Sequence, residues 1–500
     1  MSIHFNGSLK KIIALIAGPL SFAIIVLMPP VQDLSSEAQS ILAITSWIAI
    51  WWVTEAIPIP VTSLLPIVLF PLTGALDIAK TTSSYGHKMI FLYMGGFIIA
   101  LAIEKWNLHR RIALQTINLI GKDADRIILG FMVATYLLSM WISNTASTMM
   151  MLPIAIAVAK QFGGMRTSQK DLVGSSKLSS SFGLPLMLGI AYAASIGGIT
   201  TLIGTPTNAM LSAVVKDMFQ QEIDFAKWMT LSLPISVVLL VICWVYLVKI
   251  VFPVKVDDDS GGYEEIKREL KALGPVTSDE KKVIVVFLIT AISWITRSFL
   301  LQKFIPAIDD TIIALVGVVL LFLIPSSKKG EQMMDWQTAR KLPWGILILF
   351  GGGLAIATGF QSSGLAAWLA GTLKGLDSVS FIILLFAVSA MVNYLTEVTS
   401  NVATATILLP ILASIAIALE VHPYALMIAA TLSASCAFML PVATPPNAVV
   451  FSTGYIKISQ MVRAGFFLNL ISVVVIVLAV WFLLPIVWGI DPKALPDFAR

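Results

Sequence analysis

The sequence predicts an all-α polytopic membrane protein built from two inverted copies of one folding unit. Three observations predict it. Uncharged apolar stretches long enough to cross a bilayer recur along the whole chain. Four motifs occur twice in the same order, and each copy makes an odd number of crossings. Of the 500 residues 57% are hydrophobic and only 12% are charged, with a mean hydropathy of +0.90. Soluble domains carry about 25% charged residues, so a water-soluble globule is excluded. Long runs with weak alternation argue against a β-barrel. The net charge of +5 fits basic loops on a cytoplasmic face and does not point to nucleic acid. Cys243 and Cys436 sit in apolar runs and suggest no disulfide framework, and the four histidines show no metal-ligand spacing.

The elements follow in chain order. Residues 8–30 start basic and turn apolar without a small-residue cleavage site, which predicts a first transmembrane helix within an N-terminal unit, 1–36. The first repeat covers 37–252, with spans near 40–58, 61–77, 88–104, 183–215 and 228–250. Residues 127–160 form one in-and-out hairpin, which leaves five net crossings. A polar segment, 253–282, links the repeats on the cytoplasmic side and carries a short surface helix at 263–272. The second repeat, 283–490, contains a second hairpin at 378–415. Five crossings per copy turn the second copy upside down relative to the first. With a cytoplasmic N-terminus most of the 33 Lys and Arg fall on the inner side, and the C-terminus lies outside. A multi-pass protein of a bacterial-type inner membrane is expected.

The repeat is read from four pairs. WWVTEA (51–56) matches SWITRS (293–298), and YMGGFIIALAI (93–103) matches LFGGGLAIATG (349–359). SNTASTMMMLPIA (143–155) matches SNVATATILLPIL (400–412), and GTPTNAM (204–210) matches ATPPNAV (443–449). Measured from Trp52, Gly95, Asn144 and Gly204, the offsets are 242, 256, 257 and 239.

Two of these pairs are polar islands inside apolar runs. Residues 127–159 contain no charge, yet Ser143, Asn144, Thr145, Ser147 and Thr148 sit at their middle. Ser, Asn and Thr are poor in helix interiors and good at caps, so two helical arms should meet at the tip, with the second arm starting there. Its free N–H groups and dipole favour an anion without a basic side chain. Gly197, Gly198 and Gly204 loosen the next helix, and Pro206 suits the first position of a new one. Residues 439–449 repeat the break. Discontinuous helices at matching positions of inverted halves point to a transport site near the midplane.

No Lys or Arg lies between Lys374 and Lys457 or between Lys177 and Lys216. An anion at the islands must therefore be held by hydroxyls, amides and helix ends, and a bound cation would add the missing charge. Ser139 precedes Asn144 by five residues, as Thr396 precedes Asn401. With carbonyls near Gly204 and Ala443 they supply two neutral, all-oxygen cages suited to Na+.

These paired signatures, together with WWVTEAIPIPVTSLLP (51–66), resemble the divalent anion:sodium symporter family, the INDY-type carriers of dicarboxylates, citrate and sulfate. The resemblance covers residues 10–490. It implies eleven transmembrane helices, two re-entrant hairpins, a homodimer and an elevator motion of a transport domain against a scaffold. It also implies a first sodium site at Ser139, Ser143, Asn144 and Gly204, and a second at Thr396, Thr399, Asn401 and Ala443. Substrate carboxylates would meet Ser143, Asn144, Thr145, Ser400, Asn401, Thr444 and Pro445, with Val402 beside them. Thr399 stands where the family has a small alanine, and Val402 where its dicarboxylate members commonly have threonine.

Glu397 is the one acid near an island, either a functional charge or a brace for the hairpin. Glu55 and Arg297, at matching repeat positions, are expected to pair or snorkel at span ends. The expectation is a Na+-coupled symporter of C4 dicarboxylates such as succinate, fumarate or malate. The rivals are a sodium-independent exchanger, or a citrate or sulfate carrier. A membrane-embedded enzyme would need a nucleophile with its base or paired intramembrane acids, and neither is visible. A channel fits broken inverted repeats poorly.

Overall fold

The computed structural model describes residues 4–29, 33–163, 176–254, 260–372 and 380–499. Among them the chain is helical apart from loops and one isolated bridge between Pro325 and Gln332. Seven helices are long and apolar enough to cross a membrane, and five shorter apolar helices accompany them. The protein is an all-α, multi-pass membrane protein.

Helix α1 (His4–Leu27) packs along α2 (Ser36–Thr54), which Ser35 caps by accepting from the Ala38 N–H. The span expected at 61–77 is corrected. The helix there, α3 (Ile59–Leu72), is interrupted at Ser63 and Leu64, and each piece has a proline in its first turn. Proline cannot extend the turn before it, so the break lies where Pro66 enters. At 1.5 Å per residue α3 reaches about 21 Å, against a hydrocarbon core of about 30 Å. Next come α4 (Lys88–Lys105) and the amphipathic α5 (Leu108–Ile120), which buries Leu108, Leu114 and Ile117.

The arms of the first hairpin are α6 (Ala124–Ser139) and α7 (Asn144–Gly163), helices that fall on the residues 127–160 expected there. The expected span 183–215 is split into α8 (Ser176–Ile199) and α9 (Pro206–Phe219), with Pro206 opening the second half. Helix α10 (Phe225–Val245) follows, then the surface helix α11 (Ser260–Ala272); positions 255–259 of the linking segment lie outside the described residues. Thr277 and Glu280 form a capping box at the start of α12 (Ser278–Thr296). The same Glu280 receives the buried Arg111 of α5 at 2.8 Å, so linker and first half are tied together.

The second half continues with α13 (Asp310–Leu323), α14 (Trp344–Ser362) and α15 (Leu365–Thr372). The second hairpin has arms α16 (Phe381–Leu395) and α17 (Asn401–Ala418). Of its expected range 378–415, positions 378 and 379 lie outside the described residues. A second broken helix, α18 (Pro423–Ala434) and α19 (Pro445–Phe451), precedes α20 (Ile458–Leu478).

Packing positions the site. Helix α8 lies against both arms of the first hairpin, and α18 against both arms of the second. The second halves cross over: α9 packs on α17, and α19 packs on α7. Each broken helix thus touches its own hairpin with one half and the other hairpin with the second. From Phe182 to Ile199, α8 is wholly buried in protein, so its broken end is sheltered from lipid. Gly197 permits the approach, because a Cβ there would lie 2.4 Å from the Tyr136 carbonyl oxygen. A separate apolar cluster around Ile41, Ile44, Trp52, Phe70 and Phe360 holds α2, α3 and α14 together.

Candidate functional site

At each hairpin tip a hydroxyl holds the asparagine that starts the second arm. Ser139 Oγ lies 2.7 Å from Asn144 Oδ1 and 2.7 Å from the Ala194 carbonyl. Thr396 Oγ1 lies 2.7 Å from Asn401 Oδ1 and 3.2 Å from the Ala434 carbonyl. The preceding serines cap the arms: Ser143 Oγ accepts from the Ala146 N–H at 3.2 Å, and Ser400 Oγ from the Ala403 N–H at 3.5 Å. Gly198 gives Asn144 its room, since a Cβ there would sit 2.4 Å from Asn144 Oδ1.

The breaks in the two long helices are braced alike. Asn208 Nδ2 donates to the carbonyls of Gly198, Ile199 and Thr201 at 3.0, 3.0 and 2.7 Å. Asn447 Nδ2 donates to those of Ala437 and Leu440 at 3.1 and 3.0 Å. A side-chain amide here satisfies carbonyls that an unbroken helix would have satisfied itself. The cap residues Thr205 and Thr444 share one backbone conformation, φ −141° with ψ 144° and 148°.

Tips and breaks open on a single cavity of about 910 Å³. From the first half Ser143, Asn144, Thr145, Gly204, Thr205 and Pro206 line it; from the second, Thr399, Ser400, Asn401, Val402, Ala443, Thr444 and Pro445. All eight residues expected at the substrate therefore meet in one place. Of the residues expected around sodium, Ser139 and Thr396 stand behind the two asparagines, and the rest reach the cavity wall. The Thr399 hydroxyl is engaged by the Leu395 carbonyl at 2.9 Å and Thr404 Oγ1 at 2.6 Å, which leaves its backbone oxygen as the available ligand. Helices of 20, 14 and 18 residues begin at Asn144, Pro206 and Asn401, so three positive dipole ends surround the space. Apart from the Glu55 carboxylate, the donors and acceptors are hydroxyls, amides and backbone groups, a set that suits a hard monovalent cation beside an anion.

Glu397 is a brace. Its carboxyl oxygens accept from the N–H groups of Phe438, Met439 and Leu440 at 2.7, 2.9 and 2.9 Å and from Asn469 Nδ2 at 2.6 Å. It thereby fixes the second hairpin to the unwound segment before Ala443. Arg297 pairs as expected and is buried, with Glu222 at 3.1 Å, Asp224 at 3.5 Å and Asp310 at 3.1 Å. Of the two expectations for Glu55, pairing does not hold among the described residues; its side chain is exposed, as snorkelling would leave it, and it lines the cavity. Its exposure arises because α2 ends there and α3 turns away.

Sequence reasoning read Pro206 as the start of a half-helix but left it and Thr205 out of the substrate set, although their match to Thr444 and Pro445 in the repeated motif could have supplied them. It also missed the apolar wall formed by Tyr93, Phe97 and Leu349. Those side chains look like any other membrane-helix residue.

A cavity that sets hydroxyls and amides from two hairpins and two broken helices against an apolar wall, in a multi-pass helical chain, defines a membrane transporter. Residues 9–488 match the sodium:sulfate symporter transmembrane region. The chain belongs to that family, and it is a carrier, not an enzyme. It is 47% identical over 485 residues to the sodium-dependent dicarboxylate transporter SdcS of Staphylococcus saprophyticus, covering 96% of this chain and 93% of that one. To the transporter of the same name from Staphylococcus aureus strain NCTC 8325 it is 48% identical over 488 residues, covering 97% and 93%. The fold resembles the YdaH transporter of Alcanivorax borkumensis with a TM-score of 0.57 at 13% identity, covering 96% of this chain and 97% of that one. It also resembles Neisseria gonorrhoeae MtrF with a TM-score of 0.55 at 12% identity, covering 98% and 95%.

Proposed function

We propose that the protein is a Na+-coupled symporter of C4 dicarboxylates such as succinate, fumarate and malate. The observation that carries this reading is the single cavity into which both island tips and both helix breaks open, with no basic side chain among its described lining residues. A dianion there is held by hydroxyl and amide donors and three helix ends, and it needs cations for charge balance. Asn144 and Asn401 each serve two partners: Oδ1 completes a sodium cage, and Nδ2 donates to a substrate carboxylate. Ser139, Ser143 and Gly204 complete the first cage, and Thr396, Thr399 and Ala443 the second. Because each asparagine is shared, anion and cation stabilise one another, which is the physical content of coupling. The similarity to staphylococcal sodium-dependent dicarboxylate transporters supports the substrate class.

The halves, 37–252 and 283–490, act as inverted repeats, with the N-terminus cytoplasmic and the C-terminus outside. The hairpins, the broken helices, α10 and α20 move together as the transport body. Helices α1–α4 and α12–α14 serve as the frame, and two copies join as a homodimer. The matching contacts at Asn144 and Asn401, and at Asn208 and Asn447, support the repeat. The test is radiolabelled succinate uptake into proteoliposomes. An inward Na+ gradient should drive accumulation above equilibrium, and a K+ gradient should not. Equal uptake in both cases would contradict sodium coupling, and no uptake in either would contradict the substrate.

A further inference from the structure

Glu55 is the one charged side chain among the described residues lining the cavity, and its sign opposes an anion. Its carboxylate is exposed and has no ion pair or hydrogen bond among the described residues. It also ends α2 in the left-handed region, at φ 47° and ψ 41°. Glycine or asparagine suits such a helix end best, so glutamate here carries a backbone cost that glycine would avoid. An unpaired acid at a strained position on the cavity wall has no ion pair, hydrogen bond or capping contact to account for it.

We propose that Glu55 sets the charge of the anion the cavity accepts, by penalising each further negative charge and so favouring dianions over trianions. The proposal rests on the anion-carrier reading and refines it. Coulomb repulsion grows in proportion to the ligand's charge. A tricarboxylate meets half as much repulsion again as a dicarboxylate, while the cavity offers it no basic side chain in return. Like-charge juxtaposition is a standard way to suppress a wrong ligand, and a cavity with apolar walls strengthens the field. The same charge raises the local Na+ concentration, which assists the cations that the dianion requires.

The test compares citrate with succinate as competitors of radiolabelled succinate uptake, at a pH where both are fully ionised. In wild type the ratio of half-inhibiting concentrations, citrate to succinate, should fall as ionic strength rises, because screening removes the repulsion. Glu55→Gln should lower the ratio about threefold at low ionic strength, the size expected of one partly solvated charge. Glu55→Asp should keep the wild-type ratio. Glu55→Gly, which suits the left-handed backbone, removes the charge by a second route and should match Glu55→Gln. Succinate uptake with a ratio insensitive to both salt and loss of the charge would overturn the role of Glu55 alone. So would an equal shift in Glu55→Asp. Absence of any wild-type succinate uptake would instead overturn the carrier reading on which the proposal stands.

Discussion

Val402 offers methyl groups to the cavity where Thr145, its counterpart in the first half, offers a hydroxyl. It is half-buried, and its other side rests on the cluster that holds α2 and α14. Val402→Thr would add one donor toward the anion, worth about 0.5–1.5 kcal/mol as a net hydrogen bond. Succinate should bind several-fold tighter and gain on citrate and sulfate, with the melting temperature little changed. Competition assays and a thermal melt on the one variant check both parts. A lower melting temperature with an unchanged substrate profile would mean that Val402 acts as core. Glu397 raises a different question at the same scale. Four donors converge on its two oxygens, so Glu397→Gln turns one acceptor into an NH2 facing N–H groups. Each buried polar group left unpaired costs about 1–3 kcal/mol. The variant should melt well below wild type in detergent, and Asn469→Ala should lower the melt by a smaller amount. An unaltered melt for both would remove the bracing role.

Among the helices, two glycines make opposite demands. A Cβ at Gly198 would meet the end of the Asn144 side chain at 2.4 Å, which can move aside. A Cβ at Gly465 would meet the Phe438 carbonyl at 2.2 Å, and backbone in the braced segment cannot give way cheaply. Gly198→Ala should therefore fold normally and lose Na+-dependent uptake, because Asn144 is pushed off its cage. Gly465→Ala should express poorly and melt early. Size-exclusion profiles with uptake rates separate the two outcomes, and full uptake by Gly198→Ala would contradict the placement of Asn144. The breaks themselves were legible in the sequence. Ser, Asn, Gly and Pro inside uncharged runs have no good helix-interior role, and their repetition made chance an unlikely source. Helix α3 was not legible, because hydropathy counts Pro66 as tolerable while its missing N–H ends the helix. Nor was the link from Glu397 to Asn469, which joins residues 72 apart in the chain. For Glu55 the sequence left pairing and snorkelling open for a related reason: only the turn from α2 into α3 decides between them.

The whole molecule depends on one buried charge cluster and on the balance of charge in the cavity. Arg297 joins the end of α12 to Glu222 and Asp224, just before α10, and to Asp310 at the start of α13. Asp310 also accepts the Phe225 N–H at 2.9 Å. Arg297→Ala leaves these acids uncompensated, a loss of about 3–5 kcal/mol for a broken buried pair. It should abolish correctly folded protein at growth temperature, as read by detergent-extracted yield. Charge movement is a second global property. If more than two Na+ accompany each dianion, net positive charge moves inward, and one charge across 100 mV is worth about 2.3 kcal/mol. An imposed inside-negative potential should then speed succinate uptake, and a rate insensitive to potential would limit the coupling to an electroneutral cycle. The central claim is narrower than either: the two halves build one site in which sodium and anion share Asn144 and Asn401. Equilibrium binding of radiolabelled succinate to the purified wild type, Asn144→Ala and Asn401→Ala, each in Na+ and in K+, tests it most directly. The account predicts Na+-dependent binding by wild type and none by either variant, with all three proteins folded. Binding by wild type that is equal in Na+ and K+, or binding retained by both alanine variants, would contradict it.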